Sequence, residues 1–269
     1  MRKTLVTVSF LVLSALAGSV AAQAQPTVGD NGVVDAANPF NHSTAPGSIV
    51  SIFGTNFASG VNVSSTVPLS SSLGGASVTF NGVPAPLFFT SGGQINAQLP
   101  AGLSGTTASV VVTTPSGQSA PKTIQIAQVA PAIFSLNAQA FGQGAVLFAN
   151  SAVFAAPVGS IQGVTSQPAK AGDVLTIYAN SLGPVDPPVA DGNNTVDGLR
   201  RTTNTASVIL GGVTIPGSDV LFSGLAPQFV ALYQVNIIVP PGIPAGNAVP
   251  IQISIGGMTS SDKMTIALQ

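Results

Sequence analysis

Few residues in this chain are equipped for chemistry. Its 269 residues hold one histidine, no cysteine and no glutamate, so carboxylate chemistry falls to eight aspartates. A Ser-His-Asp relay needs a buried carboxylate and a nucleophile within hydrogen-bond reach of the imidazole. His42 stands among small polar residues between Pro39 and Pro46, with no Gly-x-Ser-x-Gly elbow in the chain, and reads as an exposed loop histidine. Glycoside hydrolysis needs two carboxyl groups at a defined separation. The aspartates considered for it, Asp173, Asp186, Asp191, Asp197 and Asp219, sit in the second half of the chain, mostly within turn-forming stretches. Asp173 takes a surface slot, matching Ser48 in the first half. Asp191, Asn193, Asn194 and Asp197 have a spacing that loosely resembles an oxygen-ligand calcium loop. Such a loop also wants a later bidentate acid, and Asp197 arrives too early for one. Asp191, Asn193 and Asp197 are therefore the one metal candidate, with an ordinary Asx-rich turn as the plainer reading. No residue set points to a catalytic centre or to a cofactor.

The absent residue types exclude more than the present ones suggest. Without cysteine there is no disulfide, no thiolate nucleophile and no thiolate ligand. Arg2 and Lys3, the apolar run Leu5–Val20 and the small residues Ala22-Gln23-Ala24 together predict a signal peptide over residues 1–24, cut after Ala22 or Ala24. The run is shorter than the roughly 20 residues that span a bilayer, and no later stretch is apolar enough. The chain beyond it keeps five basic residues, Lys122, Lys170, Arg200, Arg201 and Lys263, against the eight aspartates, a net charge near −3. Charged residues are 6% of the sequence, against roughly 25% in ordinary globular chains. Five scattered cations cannot neutralise a phosphate backbone, which excludes nucleic acid as a partner.

Thirty glycines and 21 prolines punctuate short alternating runs rich in Val, Ile, Thr and Phe. Ser48–Phe53, Ala76–Phe80 and Ala108–Thr113 are such runs, the second closed by Asn81-Gly82 and the third by Pro115-Ser116-Gly117. Short strands at regular spacing predict a sandwich or barrel, with helix under about a tenth. The chain also repeats itself. Gly47–Gly54 matches Gly172–Ala179, Ala76–Val83 matches Ala206–Val213, and Gln94–Pro100 matches Gln234–Pro240, in the same order. The second copy carries insertions, the largest being Pro184–Asn204, which reads as a long exposed loop. The boundary falls after Ala130-Pro131, giving a first module over 25–131 and a second over 132–269. Gly32–Ala37 and Gly142–Ala149 are the leading strands.

The opening of the repeat resembles the IPT/TIG family of immunoglobulin-like modules. Pro46-Gly47, Ile49, Ile52 and Gly54-Thr55-Asn56-Phe57 fit that family's Pro-Gly entry, β-branched strand and Gly-x-Asn-aromatic turn. The second copy departs from it, with Ala179 at the glycine and Asn180-Ser181-Leu182-Gly183 in place of the rest. Over the length from about Val33 to Gln269, Pro46–Gly54, Gln94–Pro100, Leu182–Val185 and Leu232–Asn236 are similar to the uncharacterised C-terminal domain of secreted acidobacterial (Solibacter-type) proteins. The resemblance implies two tandem immunoglobulin-like β-sandwich modules and a bacterial, extracytoplasmic setting. It implies no activity.

On this reading Gly47 and Gly54 bound a strand at turns that call for the positive φ glycine adopts cheaply, Asn56 bonds its own backbone, and Phe57 and Leu182 drop into the core. Tyr178, matching Phe53, is expected as a core ring with its hydroxyl at an edge. Leu87-Phe88-Phe89 reads as a core strand or as an exposed apolar contact, and the Gln-x-Asn repeat as structural. Edge strands are guarded by prolines such as Pro84, Pro86, Pro240 and Pro241 rather than by lysine. The function expected is a non-catalytic extracellular binding or structural module, in adhesion or as a cell-surface spacer. Its partner would be a protein or a cell-surface polymer. The alternatives are a carbohydrate-binding module and, behind it, a hydrolase with an unrecognised loop site.

Overall fold

The computed structural model describes residues 24–40 and 43–269. The predicted signal peptide, apart from Ala24, and His42 lie outside the described residues. The N-terminal part contains β1 (Thr27–Asp35), β2 (Ile49–Thr55), β3 (Ala76–Phe80), β4 (Leu87–Thr90), β5 (Gln94–Gln98), β6 (Thr107–Thr114) and β7 (Lys122–Ile126). One sheet runs β1-β2-β5-β4 and the other β7-β6-β3, with shorter strands at their edges. The C-terminal part contains β8 (Val146–Phe148), β9 (Val174–Asn180), β10 (Ser207–Leu210), β11 (Val220–Leu225), β12 (Tyr233–Ile238), β13 (Gly246–Ile255) and β14 (Met264–Leu268). Its sheets run β8-β9-β12-β11 and β14-β13-β10. The two strand orders correspond one to one, so the repeat in the sequence is a repeat of topology. The only helical element among the described residues is a 3-10 turn at Gly217–Asp219.

Alternation places the core. Ala76, Val78 and Phe80 of β3 face inward with Ala108, Val110 and Val112 of β6, against Val50, Ile52, Ile95 and Ala97 of the other sheet. The same layers recur as Val208 and Leu210, Ile251 and Ile253, and Leu175, Ile177, Val235 and Ile237. Ile52 pairs with Ile95, and Ile177 with Val235, in equivalent registers. Asn81 and Gly82 both have positive φ, 51° and 81°, the geometry that lets a two-residue hairpin follow strand twist. Phe57 and Leu182 are buried as expected.

Four expectations need correction. Phe53 is 41% exposed and Tyr178 half-buried. Both follow an inward residue, Ile52 or Ile177, and the pleat turns them outward. Ser48 is fully buried, so its slot is no surface position. Asn56 gives its amide to the Gln25 carbonyl at 3.1 Å instead of to its own turn. Gly54 is required by close approach and not by a left-handed φ, since a Cβ there would stand 2.0 Å from the Thr27 carbonyl oxygen of β1. Leu87 is buried while Phe88 and Phe89 are half-buried, so that run is a core strand at its first residue. Gln94 donates to Asn96 at 2.8 Å, making the Gln-x-Asn pair a polar ladder on the sheet's outer face.

Candidate functional site

The departure from the family pattern in the second copy is where the two sandwiches join. At the end of β9, Asn180 is fully buried, and its side-chain amide acts as a strand edge for β2. Its Oδ1 accepts from the Ile49 N–H at 3.0 Å, and its Nδ2 donates to the Ile49 carbonyl at 2.7 Å. The second Nδ2 hydrogen goes to Asp35 Oδ2 at 3.0 Å. Ser181, held at φ 58°, donates to the same carboxylate oxygen and lies 3.2 Å from the Thr44 hydroxyl. Asp35, the last residue of β1, also accepts from the backbone N–H of Ala37 at 2.8 Å and of Asn38 at 3.1 Å. Four donors thus converge on one carboxylate with no cation beside it. Burial pushes Asp35 up to about 6, against the pull of those donors.

A second contact lies along the same face. The Pro184–Asn204 insertion is not a free loop, because its tip rests on the N-terminal sandwich. Gly192 N–H donates to Gln98 Oε1 at 2.6 Å, and Leu69 N–H donates to the Gly192 carbonyl at 2.9 Å. Asp191 Oδ1 accepts from the Ala101 N–H at 3.0 Å. Gly192 has φ 81°, and a Cβ on it would meet the Leu69 carbonyl oxygen at 3.0 Å, so only glycine seats this tip.

These facts place the metal candidates. Asp191 is bound to the neighbouring sandwich, Asp197 pairs with Arg200 at 2.8 Å, and Asn193 turns toward the space between the sandwiches. Asp173 accepts from the Lys170 N–H at 2.8 Å, while Asp186 is exposed and Asp219 half-buried. No cluster of three metal-ligating side chains occurs among the described residues.

Between the two contacts the sandwiches enclose a cleft of about 540 Å³, within the range of small-ligand sites. Leu103, Pro184, Val185 and Leu225 give it apolar walls; Gln98, Gln128, Asn193 and Asn204 supply amides. Tyr233 sits at its base, buried, donating to the Gly183 carbonyl at 2.6 Å. Burial holds that phenol above its ordinary range, so it stays protonated. No Asp, Lys, Arg or His among the described residues lines the cleft.

Residues 33–126 match the IPT/TIG domain. The N-terminal sandwich is thus an IPT/TIG-like module of immunoglobulin-like fold. No curated protein matches the chain. Among solved structures, the surface glycan-binding protein PbSGBP-B of Prevotella bryantii is similar at 15% identity, over 88% of this chain and 41% of that one, with a TM-score of 0.27. The SGBP-B of the Bacteroides ovatus mixed-linkage glucan utilization locus, in complex with a mixed-linkage heptasaccharide, is similar at 12% identity over 93% and 46%, TM-score 0.34. The plexin A4 extracellular region is similar at 11% identity over 94% and 19%, TM-score 0.28. The chain spans less than half the length of each of these structures.

Asp35, Asn180, Ser181 and Gln98 escaped the search for chemistry. Asp35 is a charge at the end of an apolar strand, and Asn180-Ser181 marks the place where the second copy breaks the repeat. Gln98 stands where the second copy has Ile238. Each is a polar residue at a slot whose neighbours are apolar, and that mismatch was the available signal.

Proposed function

We propose that the protein is a non-catalytic extracytoplasmic binding module whose two sandwiches act as one body and hold a partner in the cleft between them. The observation that carries this is the cleft itself, walled by both sandwiches and free of ionisable side chains apart from a protonated tyrosine. General acid–base catalysis needs a group that titrates near the working pH within reach of the substrate. Asp35, shifted toward that range, is fully buried and its carboxylate is taken up by four donors. The predicted export signal and the resemblance to the acidobacterial C-terminal domain support the location. No helix of the described residues is long and apolar enough to cross a membrane.

The test is a broad screen with ester, glycoside and peptide substrates. No turnover is expected. Turnover that disappears when Ala101→Trp fills the cleft would overturn the reading in favour of a hydrolase.

A further inference from the structure

The cleft's donors and acceptors narrow what it takes. Gln98 is 6% exposed. It spends Oε1 on the Gly192 amide, and its Nε2, at the cleft wall, has no partner among the described residues. That nitrogen is open to the cleft, where water or a ligand supplies its acceptor. The side-chain amides of Gln128, Asn193 and Asn204 line the same space and likewise make no protein bond there. Each offers a donor and an acceptor side by side. That arrangement matches vicinal hydroxyls, which present the reverse pair.

Charge and shape remove the competitors. An ionised ligand would be buried with no counter-charge, at a cost that neutral amides do not repay. An extended peptide binds sandwiches by adding a strand to an open edge, which needs backbone N–H groups. Pro46, Pro184 and Pro188 stand on the walls of this cleft and have none to give. What remains is a neutral ligand with hydroxyls on its edges and CH faces toward Leu103, Val185 and Leu225.

We infer that the cleft between the sandwiches binds a short stretch of neutral polysaccharide, with Gln98 Nε2 and the amides of Asn193 and Asn204 holding its hydroxyls. The inference rests on the non-catalytic reading above and deepens it. It requires both sandwiches, since Gln98 belongs to one and Asn193 and Asn204 to the other.

The experiment is calorimetric titration of the protein with neutral gluco-, xylo-, manno- and galacto-oligosaccharides and with uncharged proline-rich peptides. Each mixture is then chromatographed for cleavage products. At least one sugar series binds with a Kd below about 1 mM. Asn204→Ala, which loses no protein hydrogen bond, weakens that binding about tenfold, the worth of one good hydrogen bond. Ala101→Trp, on an exposed wall residue, abolishes it, with the melting temperature unchanged in both variants. If Ala101→Trp fails to fold, the Asn204→Ala result decides. The proposal is overturned if no series binds, if neither variant weakens binding, or if the peptides bind in place of the sugars. Cleavage products with binding intact would instead overturn the non-catalytic reading and leave the cleft assignment standing.

Discussion

Asp35 is held by four donors yet has no cation, so its two protonation states are finely opposed. Its carboxyl is pushed up to about 6 in the fold from an ordinary 3.8. The folded state therefore binds the proton more tightly than the unfolded chain does. The stabilisation this confers is complete below about pH 4 and is lost as pH rises through about 6. Two units correspond to on the order of 3 kcal/mol. Thermal melts of the wild type and Asp35→Asn across pH 3.5–7.5 isolate this effect, because the other seven aspartates are common to both. The wild type should lose stability relative to Asp35→Asn between about pH 4 and 6, then run parallel to it. Parallel curves throughout would show that the carboxylate is not desolvated. The sequence marks Asp35 only as a charge at the end of an apolar strand, because the partners that bury it, Asn180 and Ser181, lie more than 140 residues away along the chain.

At the scale of elements, the strands were legible because two signals agreed: period-two alternation and turn residues at the ends. β3 closed by Asn81-Gly82 and β10 by Gly211-Gly212 show both, with positive φ at all four turn positions. The orientation of Phe53 and Tyr178 was misread because ring size was weighed above the parity of the strand, and parity decides. The insertion after Pro184 was read as free because its Asx and glycine content is the chemistry of turns. The same content seats a turn on another surface, as Gly192 does. Gly192→Ala should therefore unseat the tip, since it needs φ 81° and meets the Leu69 carbonyl oxygen. Limited proteolysis checks this: the variant is cut between Pro184 and Asn204 several-fold faster than the wild type, as exposed loops are. Equal rates in both proteins would mean that the tip is not held.

For the molecule as a whole, the scarcity of charge noted in the sequence is the scarcity of charge in the cleft. A net charge near −3 spread over the chain beyond the predicted signal peptide cannot generate a strong steering field. Binding to a partner should change by less than about tenfold between about 50 and 500 mM salt, a range that screens exposed ion pairs. A larger loss would place charge, and not neutral amides, at the contact.

The account's central claim is that the two sandwiches form one body, because only then does the cleft exist. Differential scanning calorimetry of the wild type beside Asn180→Ala tests it most directly. Asn180→Ala removes three hydrogen bonds at the junction and leaves Ile49 and Asp35 short of partners. The wild type should unfold in a single transition whose calorimetric and van't Hoff enthalpies agree, the criterion for one cooperative unit. The variant should unfold at lower temperature in two transitions. Two independent transitions in the wild type, or a calorimetric enthalpy near twice the van't Hoff value, would contradict the claim.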